Sequence, residues 1–332
     1  MTDQVLNEDI SVEDFHDTAT AIIREVGKVI VGQDDVVRHV LICVIAGGHA
    51  LLEGVPGLGK TSLIRALGHV LDLRFSRIQF TPDLMPADVT GTNIMEEDSD
   101  GRRAFRFQPG PVFANLILAD EINRATPKTQ SALLEAMQEK TVTVANQTYR
   151  LEPPFFVLAT QNPLEMEGTY PLPEAQLDRF MFKIDVKFPT PTELVAILGR
   201  TTGIETGHAE QAANGQRIIA MGNLVRKVPI ATHITDYVAR LTIATHPDSD
   251  TASDMVKRYV RYGSSPRGAQ SLILGAKINA LLAGRFNVSF DDVKAVAPAA
   301  LRHRLLLNFE GQAEGITTDQ VITELLGKVA QQ

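Results

Sequence analysis

One cysteine and no tryptophan occur in the 332 residues, and aromatic side chains make up only 6%. The single thiol, Cys43 in the run VLICVIAGG, forms no internal disulfide, which suits a reducing compartment. Its apolar neighbours mark it as a small buried hydrophobe rather than a reactive group. Long apolar runs are also missing. No stretch approaches the roughly 20 apolar residues of a membrane-spanning helix, so no membrane insertion is expected. Nor is there a basic excess: 32 Lys and Arg stand against 40 Asp and Glu, a net charge of −8. That balance argues against a surface built mainly to grip nucleic acid, which makes nucleic acid an unlikely partner. The opening MTDQVLNEDISVEDF carries acids where a secretory signal carries a basic segment and then an apolar one, so a cytoplasmic location is expected. Internal repeats and low-complexity tracts are absent. What is present, 44% hydrophobic and 22% charged residues over this length, suits a soluble chain of two domains.

Phe15, Ala19, Ile22, Ile23, Val26 and Val29 recur at helical spacing and predict a helix over 12–29, with a second over 35–46. A short strand at 49–52, a glycine loop and a helix over 60–71 follow. Further strands are expected at 75–79, 116–119 and 155–160, with a helix over 128–138. Strands alternating with helices predict an α/β fold with a doubly wound, mostly parallel sheet. Two hairpins interrupt the alternation. One spans 92–107, turning at Asp100 and Gly101 with Phe105 and Phe107 on one face, and the other is TVTVANQTYRL at 141–151. Beyond KFPTPTE at 187–193 strand character largely disappears. Ser265 before Pro266, and Ser289 with Asp292, are helix-start signals in that region. The expected division is an α/β core with N-terminal helices over 1–200 and a small all-helical lid over 201–332.

The stretch GVPGLGKT at 54–61 matches the phosphate-loop pattern, with Gly54, Gly59, Lys60 and Thr61 at its fixed positions. Its residues Gly54, Val55, Pro56, Gly57, Leu58 and Gly59, with Lys60, Thr61 and Ser62, are candidate ATP contacts. Glycines let backbone N–H groups turn inward around phosphate oxygens, and the following helix presents its positive end. Lys60 can reach the β- and γ-phosphates, and the Thr61 hydroxyl can hold Mg²⁺. Some 60 residues later, NLILADEINRA ends an apolar strand in two acids. Asp120 is the second candidate for Mg²⁺, and Glu121 the candidate general base for an attacking water. An acid pair could also merely cap the next helix. Adjacent carboxylates after a phosphate loop favour hydrolysis over transfer to another acceptor.

Together these motifs resemble AAA+ ATPases, and more closely the MoxR family. The likeness runs through IVGQ, EGVPGLGKT, RIQFTPDLMPADVTG, FQPGPVFANLILADEINRA, LLEAMQE, ATQNP, EGTYPLPEAQLDRF and SPRGAQ, nearly the whole chain. It implies a sensor role for Asn162 in ATQNP, an arginine finger acting on the neighbouring subunit's nucleotide for Arg179 in LDRF, and a second sensor arginine for Arg267 in SPRG. Ile30 and Val31 match the segment that lies against adenine. Physics is consistent with such roles, because guanidinium groups lower the barrier where charge spreads over γ-oxygens. Asn162 also reads as a turn residue before Pro163, and Arg179 as an ion-pair partner of Asp178.

The resemblance further implies a homo-oligomeric ring, usually a hexamer, that uses ATP turnover to remodel or mature client proteins or insert metals and cofactors. A separate von Willebrand factor A domain protein is the implied partner. A nucleic-acid-dependent motor and a P-loop kinase for small molecules are the alternatives. The acidic hairpin tip, Glu96, Glu97, Asp98 and Asp100, argues against the first, and Glu121 against the second. Gln79 could restrain Glu121 or simply close its strand. The basic cluster Arg302, His303 and Arg304 reads as a subunit contact or solvated face.

Overall fold

The computed structural model describes residues 9–55, 57–97, 103–162, 168–203 and 207–331. Pro56 of the phosphate loop, the hairpin turn with Asp98, Asp100 and Gly101, and Pro163 lie outside the described residues. Among those described, no helix is long and apolar enough to cross a membrane.

Five parallel strands form the central sheet in the order β2-β5-β8-β1-β9: β1 (Ala50–Glu53), β2 (Phe75–Gln79), β5 (Leu116–Asp120), β8 (Phe156–Gln161) and β9 (Phe182–Asp185). Central strands β5 and β8 are buried along almost their whole length, while edge strand β2 is mostly open, which explains why only the former read as apolar runs. Side chains alternate between two apolar layers. Leu52, Leu116, Leu118 and Leu158 face one layer; Leu51, Ile117, Ala119 and Val157 face the other.

The first layer is covered by α1 (Val12–Gly27), α2 (Asp34–Ala46) and α3 (Lys60–Val70). Ser11 and Asp14 form a reciprocal capping box that fixes where α1 begins. The second layer is covered by α4 (Pro86–Thr90) and α5 (Pro127–Glu139). Both expected hairpins form, β3 (Gly91–Glu97) with β4 (Arg103–Pro109) and β6 (Thr141–Val144) with β7 (Gln147–Arg150). Phe107 of the first stacks on Tyr149 of the second, ring centroids 4.0 Å apart, so the two hairpins are one unit. Phe105 lies exposed. The acids near the first hairpin's tip are partly neutralised, since Glu96 pairs with Arg106 and Glu97 with Arg103.

The C-terminal part is mainly helical: α6 (Glu174–Leu177), α7 (Pro191–Thr202), α8 (Gly215–Lys227), α9 (Thr232–Ala244), α10 (Asp254–Tyr259), α11 (Pro266–Leu282), α12 (Phe290–Leu301), α13 (Phe309–Ala313) and α14 (Thr318–Lys328). Ser265 and Ser289 are the N-caps of α11 and α12. A small antiparallel pair, β10 (Val260–Tyr262) and β11 (Leu306–Leu307), joins the turns. Helix α11 packs on α12, α9, α2 and α1, and the apolar residues of these helices belong to the same cluster that underlies the sheet.

Candidate functional site

Strand β1 delivers the chain into the glycine loop at the carboxyl edge of the sheet, and α3 carries it away. Gly57 and Gly59 have φ of +86° and +76°, left-handed values that side chains resist, and Gly59 is the N-cap of α3. A Cβ built on either would meet no atom within 4 Å, so it is the backbone conformation and not crowding that calls for glycine there. Lys60 donates to its own loop, Nζ to the Gly54 carbonyl at 2.7 Å. Burial lowers its pKa, and Asp120 and Glu121 act in the opposite direction. From α2's leading turn, the Gln33 amide donates to the Leu58 carbonyl at 2.8 Å and holds the loop from behind.

The acid pair closes strand β5. Glu121 has φ +55°, a strained left-handed conformation for a non-glycine residue. Thr160, on neighbouring β8, holds both acids in place. Its hydroxyl donates to Asp120 Oδ1 at 2.7 Å and accepts from the Glu121 backbone N–H at 2.8 Å. Arg77 on β2 donates to Asp120 Oδ2 at 2.6 Å and to Gln79 Oε1 at 2.6 Å. Gln79 in turn donates to Glu121 Oε2 at 3.1 Å, and Arg124 to the same oxygen at 2.9 Å. A cleft of about 270 Å³ is lined by Gly57, Gly59, Lys60, Thr61, Arg77, Gln79, Asp120, Glu121 and Asn162.

The fold thus brings Lys60, Thr61, Asp120, Glu121 and Asn162 to one cleft from three different strands. Ser62 is exposed in the first turn of α3, Val55 is half-buried, and Leu58 turns into the core. A side chain at Gly54 would meet Val186 at 3.0 Å. Ile30 is buried and Val31 half-buried at the end of the segment leading to Gln33. Thr61 and Asp120 supply hard oxygen donors suited to Mg²⁺. Among the described residues no cluster of three His, Cys, Asp or Glu exists, so phosphate and water oxygens would have to complete the shell.

Arg179 and Arg267 are not among the residues lining this cleft. Arg179 does not pair with Asp178; its Nη1 donates to the Leu134 carbonyl at 2.9 Å. Asp178 is held instead by the C-terminal helices: Ser265 donates to its carboxylate at 2.8 and 2.9 Å, Arg304 at 2.8 Å, and Arg267 lies 3.6 Å away. The anion that balances Arg267 at the start of α11 is therefore Asp178. The expectation of a solvated basic cluster is corrected at two of its three positions. His303 and Arg304 are each 8% exposed, buried between the lid and the segment before β9.

Sequence reasoning missed Gln33, Arg77, Thr160 and Arg124 as parts of the site. Each sits in or beside a motif already singled out, within IVGQ, RIQF, ATQNP or DEINRA; Gln33, Arg77 and Thr160 act through partners 25 or more residues away, while Arg124 reaches Glu121 three residues before it.

Comparison with known proteins finds relatives over nearly the whole chain. Residues 49–182 match the model of the ATPase family associated with various cellular activities (AAA), and residues 252–325 that of the AAA lid domain. The chaperone MoxR1 of Mycobacterium tuberculosis is 44% identical over 94% of this chain and 82% of its own length. The protein YeaC of Bacillus subtilis is 42% identical over 96% of both chains. A crystal structure from Cytophaga hutchinsonii has a TM-score of 0.89 at 43% identity, covering 96% of each chain.

Proposed function

We propose that this chain, which belongs to the MoxR family of AAA+ ATPases, works as an ATP-hydrolysing ring that remodels client proteins. One observation carries the hydrolytic part: a glycine loop, a lysine, a threonine, two adjacent acids and a strand-end asparagine line a single cleft. The loop N–H groups and Lys60 bind the β- and γ-phosphates. Thr61 and Asp120 would hold Mg²⁺, which would neutralise charge on the phosphate oxygens. Glu121 accepts a proton from the attacking water, and Asn162 orients that water. The hydrogen bonds that Gln79 and Arg124 donate to Glu121 keep the base engaged until the site is complete. Ile30 and Val31 border the adenine.

The position of Arg179 and Arg267 outside their own chain's cleft supports the reading that a neighbour's nucleotide is their target. Arg179 follows Asp178 in the chain, and the Asp178 carboxylate lies 3.6 Å from Arg267. A site completed by the next subunit requires a ring, and the family resemblance favours a hexamer. Residues 201–332 serve as the lid. A cytoplasmic client and a separate von Willebrand factor A domain protein are the proposed partners, with maturation or metal insertion as the outcome.

Substitution separates binding from chemistry. Glu121→Gln is expected to bind ATP normally and to lose about 100-fold or more in turnover. Lys60→Ala is expected to lose binding itself. Hydrolysis by Glu121→Gln at the rate of the unaltered protein sinks the assignment of the base.

A further inference from the structure

The segment that carries Arg179 is gripped by a buried arginine from the C-terminal helices. Arg304 follows α12, and its side chain is 2% exposed. Each of its five N–H groups has an acceptor. Nε donates to Asp178 Oδ1 at 2.8 Å, Nη2 to the carbonyls of Asp178 and Phe180 at 3.1 and 2.8 Å, and Nη1 to the Met181 carbonyl at 3.1 Å and to that of Ala300. Four of these five bonds fall on residues 178, 180 and 181, on both sides of Arg179. His303 adds a bond from Nε2 to the Phe180 carbonyl at 3.0 Å. Ser265, the N-cap of α11, holds the Asp178 carboxylate from the other side.

This geometry has a chemical reason to be an arginine. A rigid planar fork of donors can satisfy several backbone carbonyls and a carboxylate at once, whereas a lysine has three donors on one flexible point. The carbonyls flanking Arg179 are thereby tied to the same turn that ends α12. Residues 178, 180 and 181 are thus bonded to the C-terminal helices.

We propose that Arg304 is a positioning residue for Arg179, fixing the backbone from which that guanidinium reaches the neighbouring subunit's nucleotide. The proposal rests on the finger reading of Arg179. It makes the lid of one subunit a regulator of the adjacent site, because its helices set the direction of the finger. His303 and Asp178 belong to the same clamp.

Subunit mixing tests this and separates it from a merely structural role. Arg304→Lys, which keeps the charge but not the fork, is expected to bind ATP as the unaltered protein does and to lose about 100-fold in hydrolysis, the usual effect of roughly 1 Å of misplacement. Its own phosphate loop and Glu121 remain intact. Adding excess Glu121→Gln subunits, whose fingers are intact and whose own sites are dead, is expected to restore hydrolysis. Arg179→Ala mixed with Glu121→Gln runs beside it. Rescue of both variants supports the proposal. Rescue of Arg179→Ala alone, or full activity of unmixed Arg304→Lys, overturns it while leaving the finger reading intact. Rescue of neither rejects the finger reading, and the proposal with it. Should Arg304→Lys fail to assemble, Asp178→Asn is judged by the same criteria. Failure of both to assemble assigns the clamp to folding and rejects the positioning role.

Discussion

The Thr160 hydroxyl donates to Asp120 and accepts from the backbone of Glu121, so one oxygen atom fixes both acids of the cleft. Thr160→Val keeps the branched shape and leaves both partners unsatisfied. Turnover is expected to fall about 100-fold with nucleotide affinity little changed, and Thr160→Ser is expected to retain most of it. Steady-state hydrolysis decides, and an unchanged kcat in the valine variant removes Thr160 from the site. His49 shows a different residue-scale effect. Its Nδ1 accepts from the Val157 N–H at 3.0 Å and its Nε2–H donates to the Met137 carbonyl at 3.1 Å, so the neutral ring is built into the core. Burial pushes its pKa down to about 4. The unfolded chain therefore binds more protons between the ordinary 6.5 and 4. Stability is full above that window, is lost as pH falls through it, and levels off below 4, at a cost on the order of 3 kcal/mol. His303, also depressed by burial, acts in the same direction. Denaturant midpoints measured from pH 7.5 down to 4.5 should show the slope, and His49→Gln should flatten it. Identical slopes in the two proteins contradict the assignment.

At the scale of elements, the two hairpins are joined through the stacked Phe107 and Tyr149, with Phe113 edge-on to both. A double-mutant cycle of Phe107→Ala and Tyr149→Ala is expected to give a coupling of about 1 kcal/mol. Additive effects would show instead that the hairpins are independent. Both hairpins were legible from turn residues and alternation, and so were the phosphate loop, its helix and the strand bearing Asp120, because local pattern alone specifies them. Strand β9 was not. Its sequence FKID alternates charged with apolar residues over four positions at the sheet edge, too short to stand out from the prolines that follow. The supports of the site escaped for a related reason. Thr160 reads locally as a β-branched strand residue, and Arg304 as a surface charge. Their partners lie 40 and 126 residues away, a separation no local pattern encodes.

At the scale of the whole molecule, the cleft gathers the candidate groups for binding phosphate and activating water, while Arg179 and Arg267 are not among its lining residues. On the proposed reading, these two arginines act on the nucleotide of another copy of the chain. Mixing two inactive proteins measures this directly. Arg179→Ala and Glu121→Gln are each expected to hydrolyse ATP at least about 100-fold more slowly than the unaltered chain. Combined, they are expected to regain activity, because a mixed ring sets an intact Glu121 against an intact Arg179. Normal hydrolysis by Arg179→Ala alone, or no recovery in the mixture, contradicts a site shared between subunits.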